Sequence, residues 1–224
     1  MGRRPAGRRG GDGPARIRAP GAARRRSAEG SLRKRPDLLF TPEQIAARIR
    51  QIGAEVARDF DGKEICVVGL IKSCMVFMAD LVRAIPLDMT CHFLRVSSLR
   101  EDTGGTARTD IVYSTEIAYE DRHILLLDDI IDTGITLNFL LDHIRERRPR
   151  SLKVAALIDK PGDRKIEVQV DWAAFTVKES MPDRFLVGYG LDYAEHYRGL
   201  PYIGTIPRPE RAGEGRTISI ASDT

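Results

Sequence analysis

Apolar side chains recur along this chain with two periods, and the periods mark out its elements. Ile45, Ile49, Ile52 and Val56 fall three or four positions apart, the spacing of one helix face. Directly before them, Thr41-Pro42-Glu43-Gln44 offers an N-cap, a proline at the first helical position and a capping-box glutamine. A helix is therefore predicted over about residues 42–59. Ile65-Cys66-Val67-Val68-Gly69-Leu70-Ile71 is then an unbroken apolar run rich in β-branched residues, which suits a strand buried on both faces. Met75, Phe77, Met78, Leu81, Val82 and Ile85 make a second helical face that Pro86 ends. Further strands are predicted at about 89–96, 111–114, 123–128, 153–158, 171–175 and 185–189, with Leu137, Leu140, Leu141 and Ile144 on a helix that reaches about Arg148, before Pro149. Strand and helix in alternation predict an α/β fold with a mostly parallel sheet covered on both faces, and such sheets bind ligands beyond the carboxyl ends of their strands. Residues 97–110 are polar, contain Gly104-Gly105 and show no period, so they read as a mobile functional loop. Ordered structure is expected to begin near Thr41.

Charge changes this picture at the amino end. The 224 residues carry a formal +4, but that average conceals two parts. Residues 1–36 hold 11 Arg and Lys34 against Asp12 and Glu29, a net +10, and the other 188 residues carry −6. The first part also has seven Gly, four Pro and almost no large apolar side chain, so ordering it would cost entropy with little burial in return. It reads as a disordered basic arm, and residues 208–224 as a flexible tail. The arm lacks the apolar stretch of a secretory signal, the amphipathic face of a transit peptide and the Ser or Thr at position 6 of a myristoylation site. No apolar run approaches the roughly 18 residues of a membrane span. Cys66, Cys74 and Cys91 are odd in number and lack the close pairing of a zinc site or disulfide framework, which fits a reducing cytoplasm.

Candidate chemistry gathers in one segment. After the apolar His123–Leu127 come Asp128-Asp129-Ile130-Ile131-Asp132-Thr133-Gly134-Ile135-Thr136. Three carboxylates within five positions repel one another unless donors or a cation offset them, and ribose hydroxyls and a divalent cation are the obvious candidates. Thr133–Thr136 then turns into a helix N-terminus, where backbone NH groups, two hydroxyls and the helix dipole favour a phosphate. Taken alone, the acids could equally be a solvated turn with an N-cap.

The whole string, however, closely resembles the phosphoribosyl diphosphate (PRPP) binding motif of type I phosphoribosyltransferases. Ala155-Ala156-Leu157-Ile158-Asp159-Lys160-Pro161 looks like the segment whose lysine reads a purine 6-oxo group, and Asp183–Ile203 is similar to the C-terminal signature of the hypoxanthine/guanine phosphoribosyltransferases. The resemblance covers about Asp37 to Pro207 and excludes the arm. It implies a type I phosphoribosyltransferase fold, a mostly parallel sheet flanked by helices with a small hood formed from segments near both ends. It further implies Mg²⁺-dependent transfer of 5-phosphoribosyl from PRPP to N9 of a 6-oxopurine in purine salvage, commonly by dimers or tetramers. By the same resemblance, Asp128 and Asp129 accept from the ribose hydroxyls and Asp132 is the general base near purine N7. Thr133, Gly134, Ile135 and Thr136 hold the 5′-phosphate, and Lys72 and Arg198 meet the diphosphate. Lys160, Phe185 and Leu186 bind the base, while Asp192 binds Mg²⁺.

Two positions depart from the pattern. The family's Lys-Gly step in the first diphosphate loop, where relatives can hold a non-proline cis peptide, is Lys72-Ser73 here, and its Ser-Tyr pair in the mobile loop is replaced by Ser97-Ser98-Leu99. These departures and the basic arm leave a rival of another class, a nucleotide-binding regulator that touches nucleic acid through the arm. The intact Asp128–Thr136 string opposes it, and the arm's charge, outside the resemblance, is poor support for nucleic-acid binding.

Overall fold

The computed structural model describes residues 35–99, 108–178 and 181–208. The predicted first helix is α1, Pro42–Asp59, and its capping box is complete: Thr41 N–H donates to Gln44 Oε1 at 2.8 Å and Gln44 N–H to Thr41 Oγ1 at 3.3 Å, an arrangement worth about 1 kcal/mol. Before it lies β1, Asp37–Phe40, so order begins upstream of Thr41. There follow β2 (Ile65–Leu70), α2 (Met75–Ala84), β3 (Met89–Leu99), β4 (Arg108–Ser114), β5 (His123–Ile131), α3 (Ile135–Arg145), β6 (Ser151–Asp159), β7 (Trp172–Thr176), β8 (Arg184–Val187) and β9 (Ile203–Pro207).

Six strands form one sheet in the order β4-β3-β2-β5-β6-β7. All neighbours are parallel except β4, which runs antiparallel to β3 along one edge. Every residue of β2 is buried, as its continuous apolar run requires. A second sheet, β1-β9-β8, is antiparallel and joins the two ends of the described chain, which matches the expected hood.

The structure corrects the loop expected at 97–110. β3 continues through Leu99 and pairs with β4 from Arg108, with Ser97 opposite Asp110 and Ser98 opposite Thr109. Ladder hydrogen bonds satisfy the backbone of an edge hairpin whatever its side chains, so polarity there conceals the strand. Residues 1–34, 100–107, 179–180 and 209–224, and the side chain of Leu99, lie outside the described part. Helix α3 also stops at Arg145, short of Arg148, because its last turn tightens through Arg147 N–H to Ile144 O and Arg148 N–H to Arg145 O, both 3.0 Å.

Candidate active site

β5 does more than deliver carboxylates to its end. It runs through Ile131, so Asp128 and Asp129 belong to the strand itself, with Asp128 opposite Ala156 of β6; this differs from the expected strand over 123–128. Asp128 is buried, Asp129 half-buried and Asp132 exposed. Burial is the main cause that pushes the Asp128 carboxyl well above the usual range, and the charge of Asp129 adds to it. Burial also raises Asp129, against the opposing pull of hydrogen bonds from Asp128 and Ser73. Two adjacent carboxyls in so dry a place resist ionising together, and hydroxyl donors brought to them would offset the repulsion. Asp132, by contrast, reaches outward, with one oxygen accepting from Thr133 N–H at 2.5 Å.

The turn that follows leads directly into a helix N-terminus. Gly134 sits at φ 79° and caps the 11-residue α3, whose first NH groups have no intrahelical partner. A Cβ at Gly134 would lie 2.3 Å from the carbonyl oxygen of Ile166, so a glycine is needed for both the backbone angle and the space. A cavity of about 230 Å³ opens between this turn and the β2–α2 loop, lined by Ser73, Asp129, Asp132, Gly134 and Thr136 among others.

Around it the other expected residues fall into two groups. Lys72, Asp192 and Arg198 are brought together. The peptide between Ile71 and Lys72 is cis, one step before Lys72-Ser73. Arg198 donates to Ser73 Oγ and Gly190 O, both at 2.9 Å, and pairs with Asp192 Oδ1 at 2.9 Å. Lys72 and Arg198 both contact Glu195, at 2.8 and 3.3 Å, and these two cations, Lys72 first, hold the Glu195 carboxyl below its ordinary range. Glu195 thus covers both cations. The loop carrying it is tightly wound, with positive φ at Gly188, Tyr189, Gly190, Ala194, Glu195 and Tyr197, a kind of backbone that concentrates at functional sites. It is anchored by the Tyr189 hydroxyl donating to Asp80 at 2.5 Å.

The second group is less converged. Lys160 is tied to the β5 end through its backbone N–H to Ile131 O at 2.9 Å, while its ammonium pairs with Asp163. The Phe185 ring lies 5.0 Å from Tyr193, and the Arg208 guanidinium stands 4.6 Å from its centroid. Leu186 is half-buried and packs against the core.

Arg164 and Glu195 were not legible in the sequence. The buried Arg164 guanidinium donates to Ile131 O at 2.8 Å and Asp132 O at 2.5 Å and pairs with Asp159, while Lys165 and Ile166 N–H groups hold Thr133 O at 2.9 and 3.1 Å. The turn from Asp132 to Gly134 is therefore braced from the segment after β6. The signal available was Asp159 itself, a carboxylate at a strand end that needs a cation when it is not solvated.

Among the described residues no group of three or more His, Cys, Asp or Glu side chains is arranged to hold a metal ion. Asp192 offers one hard carboxylate whose oxygens take one backbone bond from Glu195 at 2.8 Å and one ion pair with Arg198. That fits Mg²⁺, which commonly binds through one or two carboxylates together with substrate phosphates.

Residues 39–194 match the phosphoribosyl transferase domain family. The chain is 38% identical over 169 residues to the hypoxanthine-guanine phosphoribosyltransferase of Bacillus subtilis, covering 75% of this chain and 92% of that one. With the enzyme of the same name from Streptococcus pneumoniae it shares 40% over 172 residues, 75% of this chain and 92% of the relative. A crystal structure of a Bacillus anthracis hypoxanthine-guanine phosphoribosyltransferase superposes with a TM-score of 0.68 at 35% identity, covering 76% of this chain and 97% of that one. For the hypoxanthine phosphoribosyltransferase of Trypanosoma cruzi the TM-score is 0.69 at 32% identity, with 77% and 95% covered.

Proposed function

This chain belongs to the hypoxanthine-guanine phosphoribosyltransferase family, and from that premise we propose that it transfers 5-phosphoribosyl from PRPP to N9 of hypoxanthine or guanine, releasing diphosphate and forming IMP or GMP. The observation that carries the reading is the run from the buried Asp128 and half-buried Asp129 through the outward-facing Asp132 to Gly134 at the N-terminus of α3, on the wall of one cavity. We place the transferase domain at residues 37–207 and the working protein in a reducing compartment, the cytoplasm, as a homo-oligomer; the unpaired, buried thiols of Cys66 and Cys74 suit that setting.

In the mechanism the ribose hydroxyls donate to Asp128 and Asp129, and the NH groups and hydroxyls of residues 133–136 fix the 5′-phosphate. Lys72 and Arg198 turn from Glu195 to the diphosphate and neutralise the charge that grows there as the C1′–O bond breaks. Asp132 takes the proton that the purine gives up as the N9–C1′ bond forms. Asp192 would hold Mg²⁺, which when bound supplies charge neutralisation at the diphosphate oxygens. Since no covalent intermediate with the protein is needed, positioning carries most of the acceleration.

Lys160 gives the base specificity in this reading. Its ammonium only donates, so it can pair with a 6-oxo group and cannot pair with the exocyclic amine of adenine. Replacing Lys160 with Ala is expected to cut kcat/KM for hypoxanthine and guanine by roughly 10- to 100-fold, the worth of a charged hydrogen bond, and to leave the low use of adenine unchanged. Steady-state kinetics with each base check this, and an unaltered hypoxanthine-to-adenine ratio removes Lys160 from the role.

A further inference from the structure

We propose that Tyr189 is a positioning residue of this site: its hydroxyl, bonded to Asp80 of α2, holds the loop of Asp192 and Arg198 in register with Lys72 while PRPP binds and reacts. The inference rests on the transferase reading and deepens it at the diphosphate end.

Tyr189 has φ 51°, a backbone angle that bulky residues rarely adopt and that persists only where the surroundings over-determine it. Here they do so through both backbone and side chain. The Tyr189 N–H donates to Leu200 O at 2.8 Å and the Gly190 N–H to Arg198 O at 2.9 Å, which closes the loop on itself. The side chain is buried, and its hydroxyl donates to Asp80 Oδ2 at 2.5 Å. Asp80 Oδ1 pairs with Arg83 on the same helix, so both oxygens of the carboxylate are engaged. Burial first, and then the bond to Asp80, push the Tyr189 hydroxyl well above its ordinary range, so it remains a donor at neutral pH.

Among the described residues, three side-chain hydrogen bonds join this loop to the segment from Lys72 through α2. They run from Lys72 to Glu195 at 2.8 Å, from Arg198 to Ser73 at 2.9 Å and from Tyr189 to Asp80. The first two use the very cations that turn to the diphosphate, so PRPP competes for them. Lys72 and Glu195 are also exposed, and such pairs hold little. The third involves no group that meets substrate, and Tyr189 is only 6% exposed. It is the tie that outlasts substrate binding. Without the hydroxyl, the loop keeps its fold through its own backbone bonds and loses its fixed register against Lys72 once PRPP arrives.

Tyr189→Phe tests this with the ring and its packing retained, and Asp80→Ala removes the same bond from the other side. Three quantities are read on the full chain: the Kd for inorganic diphosphate with Mg²⁺, by calorimetry, the KM values for PRPP and hypoxanthine, and the melting temperature. Both variants are expected to raise the diphosphate Kd and the PRPP KM by roughly 3- to 10-fold, the range of one hydrogen bond, with the hypoxanthine KM unchanged. Tyr189→Phe with Asp80→Ala should be no worse than either alone, because one bond is lost in all three proteins. Asp80→Asn, whose carbonyl oxygen still accepts from the tyrosine, should stay within about twofold of the unaltered chain. A lower melting temperature in Tyr189→Phe with unaltered diphosphate and PRPP constants overturns the proposal, since it shows a purely structural bond; additive losses in the double variant overturn it too. If the unaltered chain neither binds diphosphate nor forms nucleotide, the transferase reading itself fails and this proposal falls with it.

Discussion

Asp132→Asn is expected to lower kcat by roughly 10²- to 10⁴-fold, the usual worth of a positioned general base, while IMP binding measured by calorimetry changes little. The two outcomes separate because of how Asp132 is held. One of its oxygens accepts from Thr133 N–H at 2.5 Å, and an asparagine carbonyl oxygen can keep that bond and so keep the turn in place. An amide cannot take up the purine proton. Asp132 is also exposed, unlike Asp128, so the exchange buries no new polar group and should leave stability within about 0.5 kcal/mol. A kcat within threefold of the unaltered enzyme contradicts the role given to Asp132; a parallel loss of IMP affinity shows a binding residue instead.

Gly134→Ala should be as damaging by a different route. At φ 79° an alanine pays the left-handed penalty of roughly 1–2 kcal/mol, and its Cβ meets the Ile166 carbonyl at 2.3 Å. Ile166 cannot easily yield, because its N–H and that of Lys165 both hold Thr133 O. The turn must move instead, and a shift of about 1 Å at the phosphate can cost roughly 100-fold in kcat/KM for PRPP. Gly62→Ala is the control. Gly62 has a similar φ of 69° with nothing within 4 Å of an added Cβ, so it should lose stability alone and keep its kinetics. Melting curves and PRPP kinetics on both variants make the comparison; equal kinetics for the two argue against a tightly fitted phosphate turn.

What could be read from the sequence was whatever is encoded locally. The capping box at Thr41 and Gln44, the apolar run of β2 and the string from Asp128 to Thr136 each specify their structure within a few residues. The second sheet was missed from residue patterns because β1 and β9 are four and five residues long and find each other across the whole described chain; only the family resemblance anticipated a hood. The strands expected at 89–96 and 111–114 are present, and only their continuation toward one another was missed, because residues 97–99 and 108–110 are mostly polar. In the candidate site, the carboxylates and the turn into α3 were legible, whereas the side chains that brace them were not. Arg164 acts on Asp132 from another strand end, and Glu195 matters only because folding sets it against Lys72 and Arg198. The opening charge of +4 likewise described neither part: the acidic body carries the site, and the basic arm lies outside the family match.

The central claim is tested most directly by incubating the purified full-length chain with PRPP, Mg²⁺ and one of hypoxanthine, guanine, xanthine or adenine, and measuring nucleotide and diphosphate together. The account predicts IMP or GMP with one diphosphate per nucleotide, and no AMP from adenine. No nucleotide from either hypoxanthine or guanine, under conditions where a known transferase is active, or equal use of adenine, would contradict it.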